Sequence, residues 1–123
     1  MRHEIIIPIK TVSESNSRDH WRVAHSRHKS QKAAVRWTLL SEDLQVDLPC
    51  TITLVRCGKR ELDDDNLMGA LKYVRDAIAD YLIPGLAPGR ADDDRRIHWK
   101  YAQDHSAVPY VLARFWWGLD LSD

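Results

Sequence analysis

Leu62-Asp63-Asp64-Asp65-Asn66-Leu67 is the stretch on which the fold turns, because three consecutive carboxylates stand between two differently patterned segments. Upstream, Cys50 to Cys57 follows Pro49 and is rich in β-branched residues, with Ile52 and Leu54 opposing Thr51, Thr53 and Val55. That alternation predicts a strand. Downstream, Leu67, Ala70, Leu71, Val74, Ala77, Ile78 and Tyr81 recur at steps of three and four, within roughly a 120° sector of a helix. Ile83-Pro84-Gly85 ends that helix, and Pro88-Gly89 extends a loop to a second acidic cluster, Asp92-Asp93-Asp94.

Beyond this centre the pattern is simpler. Ile97, Trp99 and Tyr101 alternate with His98, Lys100 and Ala102, and Val108 to Trp117 is a last apolar run, so two more strands are expected. Glu4 to Ile9 reads as a strand near a sheet edge, with Ile5 and Ile7 facing one way and Pro8 close to its end. After a polar loop from Thr11 to Asn16, Ser17 is placed to cap a long helix from about Arg18 to Leu40. Its apolar positions, Trp21, Ala24, Ala34, Val35, Thr38 and Leu39, are sparse in the middle, which predicts a helix loosely held or broken near Ser30. The sum is an α+β domain over residues 1–123: a small mixed sheet of about four strands packed with two main helices.

A chain of 123 residues and 14.2 kDa is long enough for one core, burying about two-thirds of the surface its unfolded form exposes. The hydrophobic fraction of 44% and charged fraction of 29% are those of a globular protein, and no repeat or low-complexity tract interrupts them. No apolar run approaches the ~20 residues that cross a bilayer, and no long apolar stretch opens the chain, so a cytoplasmic protein is expected. Cys50 and Cys57 stand at odd separation in one strand, on opposite faces, and are expected to be reduced thiols that do not bridge.

A net charge of zero conceals an asymmetry. Residues 1–40 carry eight Lys or Arg against three acids, whereas residues 61–94 carry nine acids. Arg18, His20, Trp21, Arg22, His25, Arg27, His28, Lys29, Lys32 and Arg36 form a basic arm with interleaved aromatics, the composition that a polyphosphate attracts through counterion release. A solvated helix face is the plain alternative. The near absence of acids within the arm favours nucleic-acid contact.

The acidic clusters carry the chemistry. If Leu62 to Asp65 is extended, the period of two places Asp63 and Asp65 on one face, and Asp64 or Asp65 stands at the cap of the following helix. Packed carboxylates repel one another, so such a cluster is costly without a cation. Carboxylate ligands without Cys or His partners favour Mg²⁺ or Mn²⁺, and such an ion assists phosphodiester hydrolysis. Helix caps and a solvated loop tip beside Arg90, Arg95 and Arg96 are the structural alternatives. Neither cluster has the ligand order of a calcium loop, and His20, His25 and His28 lack cysteine partners for zinc. Trp116-Trp117 is expected in a packed strand or a subunit contact rather than in base stacking.

Asp63-Asp64-Asp65-Asn66-Leu67, a following helix containing Lys72 and Asp76, the Asp92-Asp93-Asp94 cluster and the Ile97-x-Trp99 strand together resemble the RusA-like Holliday junction resolvases of bacteria and their phages. Ser15-Asn16 followed by Arg18, His20, Trp21 and spaced basic residues is similar to phage members of that family. The resemblance implies a homodimer that binds a four-way DNA junction and uses Mg²⁺ to nick opposing strands symmetrically. It matches Asp63 and Asp65 to the two metal-binding acids, with Asn66 orienting them, and Asp93 to the third acid, Asp92 and Asp94 fitting under a shift of one residue. Better-known members carry a catalytic lysine where this chain has Gly69; Lys72, one turn further on, either replaces it or pairs with Asp76. The expectation is therefore catalysis by Asp63, Asp65, Asp93 and Lys72 with Mg²⁺ (or Mn²⁺) held by the three acids. DNA is expected on Arg18, His20, Arg22, Arg27, Lys29, Lys32 and Arg36. A flap or single-strand nuclease, or a junction-binding module without catalysis, are the rival readings.

Overall fold

The β-branched run after Pro49 forms the central strand of the computed structural model, which describes residues 1–11, 21–86 and 90–118. In chain order the elements are β1 (Arg2–Ile7), α1 (Trp21–Ser41), β2 (Cys50–Gly58), α2 (Asp64–Leu82), a single 3₁₀ turn (Ala91–Asp93), β3 (Ile97–His105) and β4 (Tyr110–Trp117). The sheet order is β1-β4-β2-β3. β2 and β3 run parallel, joined by α2 as crossover, and the other pairs are antiparallel. The sheet is thus mixed and four-stranded, with two helices, and β1 is the edge strand expected from Pro8. Among the described residues no helix is long and apolar enough to cross a membrane.

Alternation decides which face is covered. Ile5 and Ile7, Cys50, Ile52 and Leu54, Ile97, and Val111, Ala113 and Phe115 all point to one side and form a single core with Val35 and Leu39 of α1 and Leu67, Leu71, Val74 and Ile78 of α2. Each of the larger of these side chains, removed from water, stabilises the fold by about 1.5–3 kcal/mol. The opposite side carries cross-strand rows Arg2–Trp116–Thr51–His98, Glu4–Arg114–Thr53–Lys100 and Ile6–Leu112–Val55–Ala102. Ile6 in the last row is 60% exposed.

Two sequence expectations are corrected here, and one holds. α1 is continuous through Ser30; its start at Ser17 to His20 lies outside the described residues. Its apolar-poor middle is held instead by Gln31, buried in line with Val35 and Leu39 and donating to the Lys10 carbonyl at 3.4 Å, and by His28, stacked on Tyr73 of α2 at 3.7 Å. α2 begins at Asp64 rather than Leu67, and Asp63 is its N-cap. Cys50 and Cys57 are both free and buried, as expected, and burial pushes the Cys50 thiol up to about 11, which keeps it protonated at neutral pH.

Candidate functional site

The first cluster is built by the start of α2. Asp63 is extended (φ −68°, ψ 169°), and its Oδ1 accepts the Asn66 N–H at 2.9 Å, satisfying one of the donors that every helix start leaves open. Just before it, Leu62 is fixed to β3 by two bonds: its N–H donates to Gln103 Oε1 at 2.9 Å and its carbonyl accepts from Gln103 Nε2 at 2.6 Å. Asp64 and Asp65 are already in the first helical turn, so they fan out at about 100° per residue and the two-residue alternation does not extend to them. All three carboxylates are exposed, beside the positive end of the helix dipole. Among the described residues none of the three has a cation within ion-pair distance. Asp64 lines a groove of about 500 Å³ whose other walls include Met68, Trp99, Lys100 and Tyr101.

The second cluster is neutralised. Arg75 of α2 reaches Asp92 Oδ2 with Nε at 3.2 Å, donates from Nη2 to the Asp92 carbonyl at 3.1 Å, and donates from Nη1 to the Tyr101 hydroxyl at 2.6 Å. Its guanidinium lies 5.0 Å from the Trp99 ring centre, and Trp99 Nε1 donates to the same Asp92 carbonyl at 3.0 Å. Arg75 also stands 3.8 Å from Asp93, whose side chain is 88% exposed. Asp94 takes Arg96 in a two-pronged bond, 3.0 Å on each oxygen, and accepts the Arg96 N–H at 2.9 Å. Those bonds hold its carboxyl down at about 2.

The two clusters do not form one cage. Arg75, which anchors Asp92, stands about three turns along α2 from Asp64, some ~16 Å at 1.5 Å per residue. Among the described residues no three His, Cys, Asp or Glu side chains gather into a metal-ligating group. The expected convergence of Asp63, Asp65 and Asp93 on a shared ion is therefore not present within the chain, and the reason is Arg75, which turns the Asp92 carboxylate inward and leaves Asp93 outward. Lys72 lies seven residues after Asp65, on the same side of α2, with its ammonium 5.5 Å from the Tyr73 ring centre.

α1 supplies the basic face. Arg22, Lys29 and Arg36 are exposed and spaced by seven, so they form one stripe running about 21 Å along the helix. Lys32 sits at the α1–α2 seam with its ammonium 5.7 Å from the Tyr73 ring centre, and Arg22 stacks its guanidinium over Trp21 at 5.3 Å. Arg27 is half-buried and, at about 200° from Lys29, does not join the stripe. Arg18 and His20 lie outside the described residues.

Sequence reasoning missed three residues of this region. Arg75 and Trp99 organise the second cluster, and their only local signal is a charge and an indole set beside apolar positions. Asp76, considered only as an alternative partner for Lys72, is 7% exposed. Burial pushes its carboxyl above the usual range and Asp92 adds to the shift, while Lys32 and Lys72 oppose it. No family model matches the chain, and no curated protein matches it significantly in sequence.

Proposed function

We propose that the chain is a Mg²⁺-dependent, structure-specific DNA endonuclease of the RusA-like kind, cutting four-way junctions by paired nicking. The observation that carries the reading is the un-neutralised cluster: three exposed carboxylates at a helix start, with no cation in ion-pair reach among the described residues, in a chain whose α1 carries a stripe of exposed cations. Mg²⁺ does not need an all-protein cage, since it is usually held by one or two carboxylates, substrate phosphate oxygens and waters. Asp63 meets that requirement with the oxygen left clear of its capping bond, and Asp65, exposed in the first helical turn, is its proposed partner. Bound there, the ion supplies charge balance at phosphorus and a more acidic water. The chain's own contribution is positioning: the Gln103 bonds fix the approach to Asp63, the cap fixes Asp63 itself, and Arg22, Lys29 and Arg36 hold the DNA backbone. Asp93 has no ligand role in this proposal.

Pairing of two copies belongs to the same reading, because a junction offers two equivalent cleavage points. The face of the sheet opposite α1 and α2, which no described helix packs on, supports it. A twofold axis parallel to the strands, between β4 and β2, sets Glu4 opposite Lys100 of the second copy and Leu112 opposite Val55, with Ile6 facing Ala102. Ile6→Asp is then expected to convert a dimer to a monomer in sedimentation; a variant that sediments with the wild type removes this surface.

The absence of a three-acid group among the described residues favours a second reading, a junction-binding module without catalysis. Incubating the protein with synthetic four-way junctions, flaps and single strands in Mg²⁺ and in EDTA separates the readings. Cleavage that needs Mg²⁺ and prefers junctions supports the proposal. Tight junction binding with no cleavage in any metal gives the second reading, and equal cleavage of flaps or single strands gives a different nuclease.

A further inference from the structure

We propose that the cleft at the C-terminal end of β2 is a second phosphate site, built to take a backbone phosphate of the strand that reaches Asp63. The cleft has a volume of about 320 Å³ and is lined by Lys10, Thr11, Arg56, Lys59 and Arg60 among others, and no carboxylate of the described residues lines it. It involves none of the basic residues of α1.

Arg56 is what makes it a built site. Its Nε donates to Thr11 Oγ1 at 3.1 Å and its Nη1 to the Arg60 carbonyl at 2.7 Å, so the guanidinium plane is fixed while Nη2 takes no part in either bond. A guanidinium fixed before binding loses little side-chain freedom when a phosphate arrives. Lys10, Lys59 and Arg60 converge on the same cleft without an ion pair to any Asp or Glu among the described residues, and an anion relieves their mutual repulsion. Glu61 and Asp104 line a separate cleft on the other side of the Lys59–Arg60 turn, so the anion belongs on the Thr11 side.

Position along the chain supplies the ligand class. Asp63 comes three positions after Arg60, at most about 10 Å of extended backbone, so one nucleic-acid strand can reach both the cleft and the acidic cluster. The identity of the ligand rests on the nucleic-acid reading above; the anion chemistry of the cleft does not.

The test uses the full chain in EDTA, so that cleavage plays no part. Junction affinity is measured by fluorescence anisotropy across a salt series for the wild type and for the double variant Lys59→Ala with Arg60→Ala, which keeps the Arg60 carbonyl that holds Arg56. Loss of two phosphate contacts is expected to reduce the slope of log affinity against log salt by about 1.8. An unchanged slope overturns the proposal. Amide shifts of Gly58 to Arg60 with inorganic phosphate, combined with an unchanged slope, also overturn it, because the cleft would then serve a free anion. A reduced slope in a protein that cleaves nothing in Mg²⁺ upholds this site and sinks the nuclease reading instead.

Discussion

Two runs of three aspartates, Asp63 to Asp65 and Asp92 to Asp94, have the same composition and opposite electrostatic states. Each member of the second run has a guanidinium within 4 Å: Asp92 and Asp93 face Arg75, and Asp94 faces Arg96. No member of the first run has a cation within that distance among the described residues. The second run is structural, a clasp that ties the start of β3 to the middle of α2 through Arg75, Trp99 and Tyr101. What distinguishes a candidate cation site from a structural one is thus the surrounding counter-charge. Acid density alone does not reveal it.

The largest expected effect breaks or upholds this contrast directly. Asp65→Asn removes charge from the un-neutralised run and is expected to reduce Mg²⁺-dependent junction cleavage by at least about 100-fold, within the several kcal/mol that metal assistance supplies. Asp93→Asn, at a side chain 88% exposed, is expected to leave cleavage within about threefold of the wild type. Rates measured side by side on one junction decide it; equal losses would show that both runs serve the reaction and that the clasp is not merely structural.

Next in size is Arg75→Met, which keeps the stem and removes the charge. It leaves Asp92, with a side chain only 19% exposed, without its cation, and deprives the Tyr101 hydroxyl of its partner. A loss of about 2–3 kcal/mol in urea unfolding is expected, the cost of stranding partly buried charged and polar groups. The matched change Arg96→Met, at a solvent-screened pair whose arginine is exposed, is expected to shift the urea midpoint far less.

Acid titration sharpens the same contrast. The Asp94 carboxyl is held down at about 2, so its contribution to stability is present above the unfolded carboxylate value and is lost as pH falls towards 2. Asp76 behaves oppositely: burial and Asp92 raise its folded value, so the protonated form favours the fold and stability declines as pH rises through the upper carboxylate range. Asp76→Asn is expected to raise the midpoint at pH 7 and to flatten the pH profile above the ordinary carboxylate value, whereas Asp94→Asn flattens it below. Thermal melts from pH 2 to 7 read both; identical profiles would remove the assigned roles.

What the residues disclose in advance follows from where the stabilising contacts lie. α2 and β2 are legible because their cores are built from apolar residues at steps of three and four or of two, a signal contained within each element. The middle of α1 is not, since Gln31 is held by the Lys10 carbonyl and His28 by Tyr73, partners far along the chain that local apolarity does not register. The candidate site divides likewise. Three adjacent acids before a helix point to Asp63 to Asp65 by spacing alone, whereas the fate of Asp92 depends on Arg75, seventeen residues away, whose reach only the folded crossover defines. The sheet topology that brings Arg56 to Thr11, and so forms the basic cleft, has no local signature either.

The smallest effect concerns the position where the RusA-like pattern has a lysine. Gly69 lies within α2, one turn from Asp65, and a Cβ there would meet nothing within 4 Å. Nothing steric therefore demands glycine, and a helix interior favours lysine over glycine by somewhat under 1 kcal/mol. Gly69→Lys is expected to stabilise the chain by about that amount in urea unfolding. Its ammonium would stand on the same side of the helix as Asp65, four residues on, where it adds counter-charge to the run that has none. If the run holds Mg²⁺, the added cation weakens the ion and the Mg²⁺ concentration for half-maximal cleavage rises by a fewfold, unless the lysine also contacts the phosphate, in which case the maximal rate rises with it. A Mg²⁺ requirement and rate both unchanged would mean that the start of α2 does not sense charge at this distance, and the contrast between the two aspartate runs would lose its functional meaning.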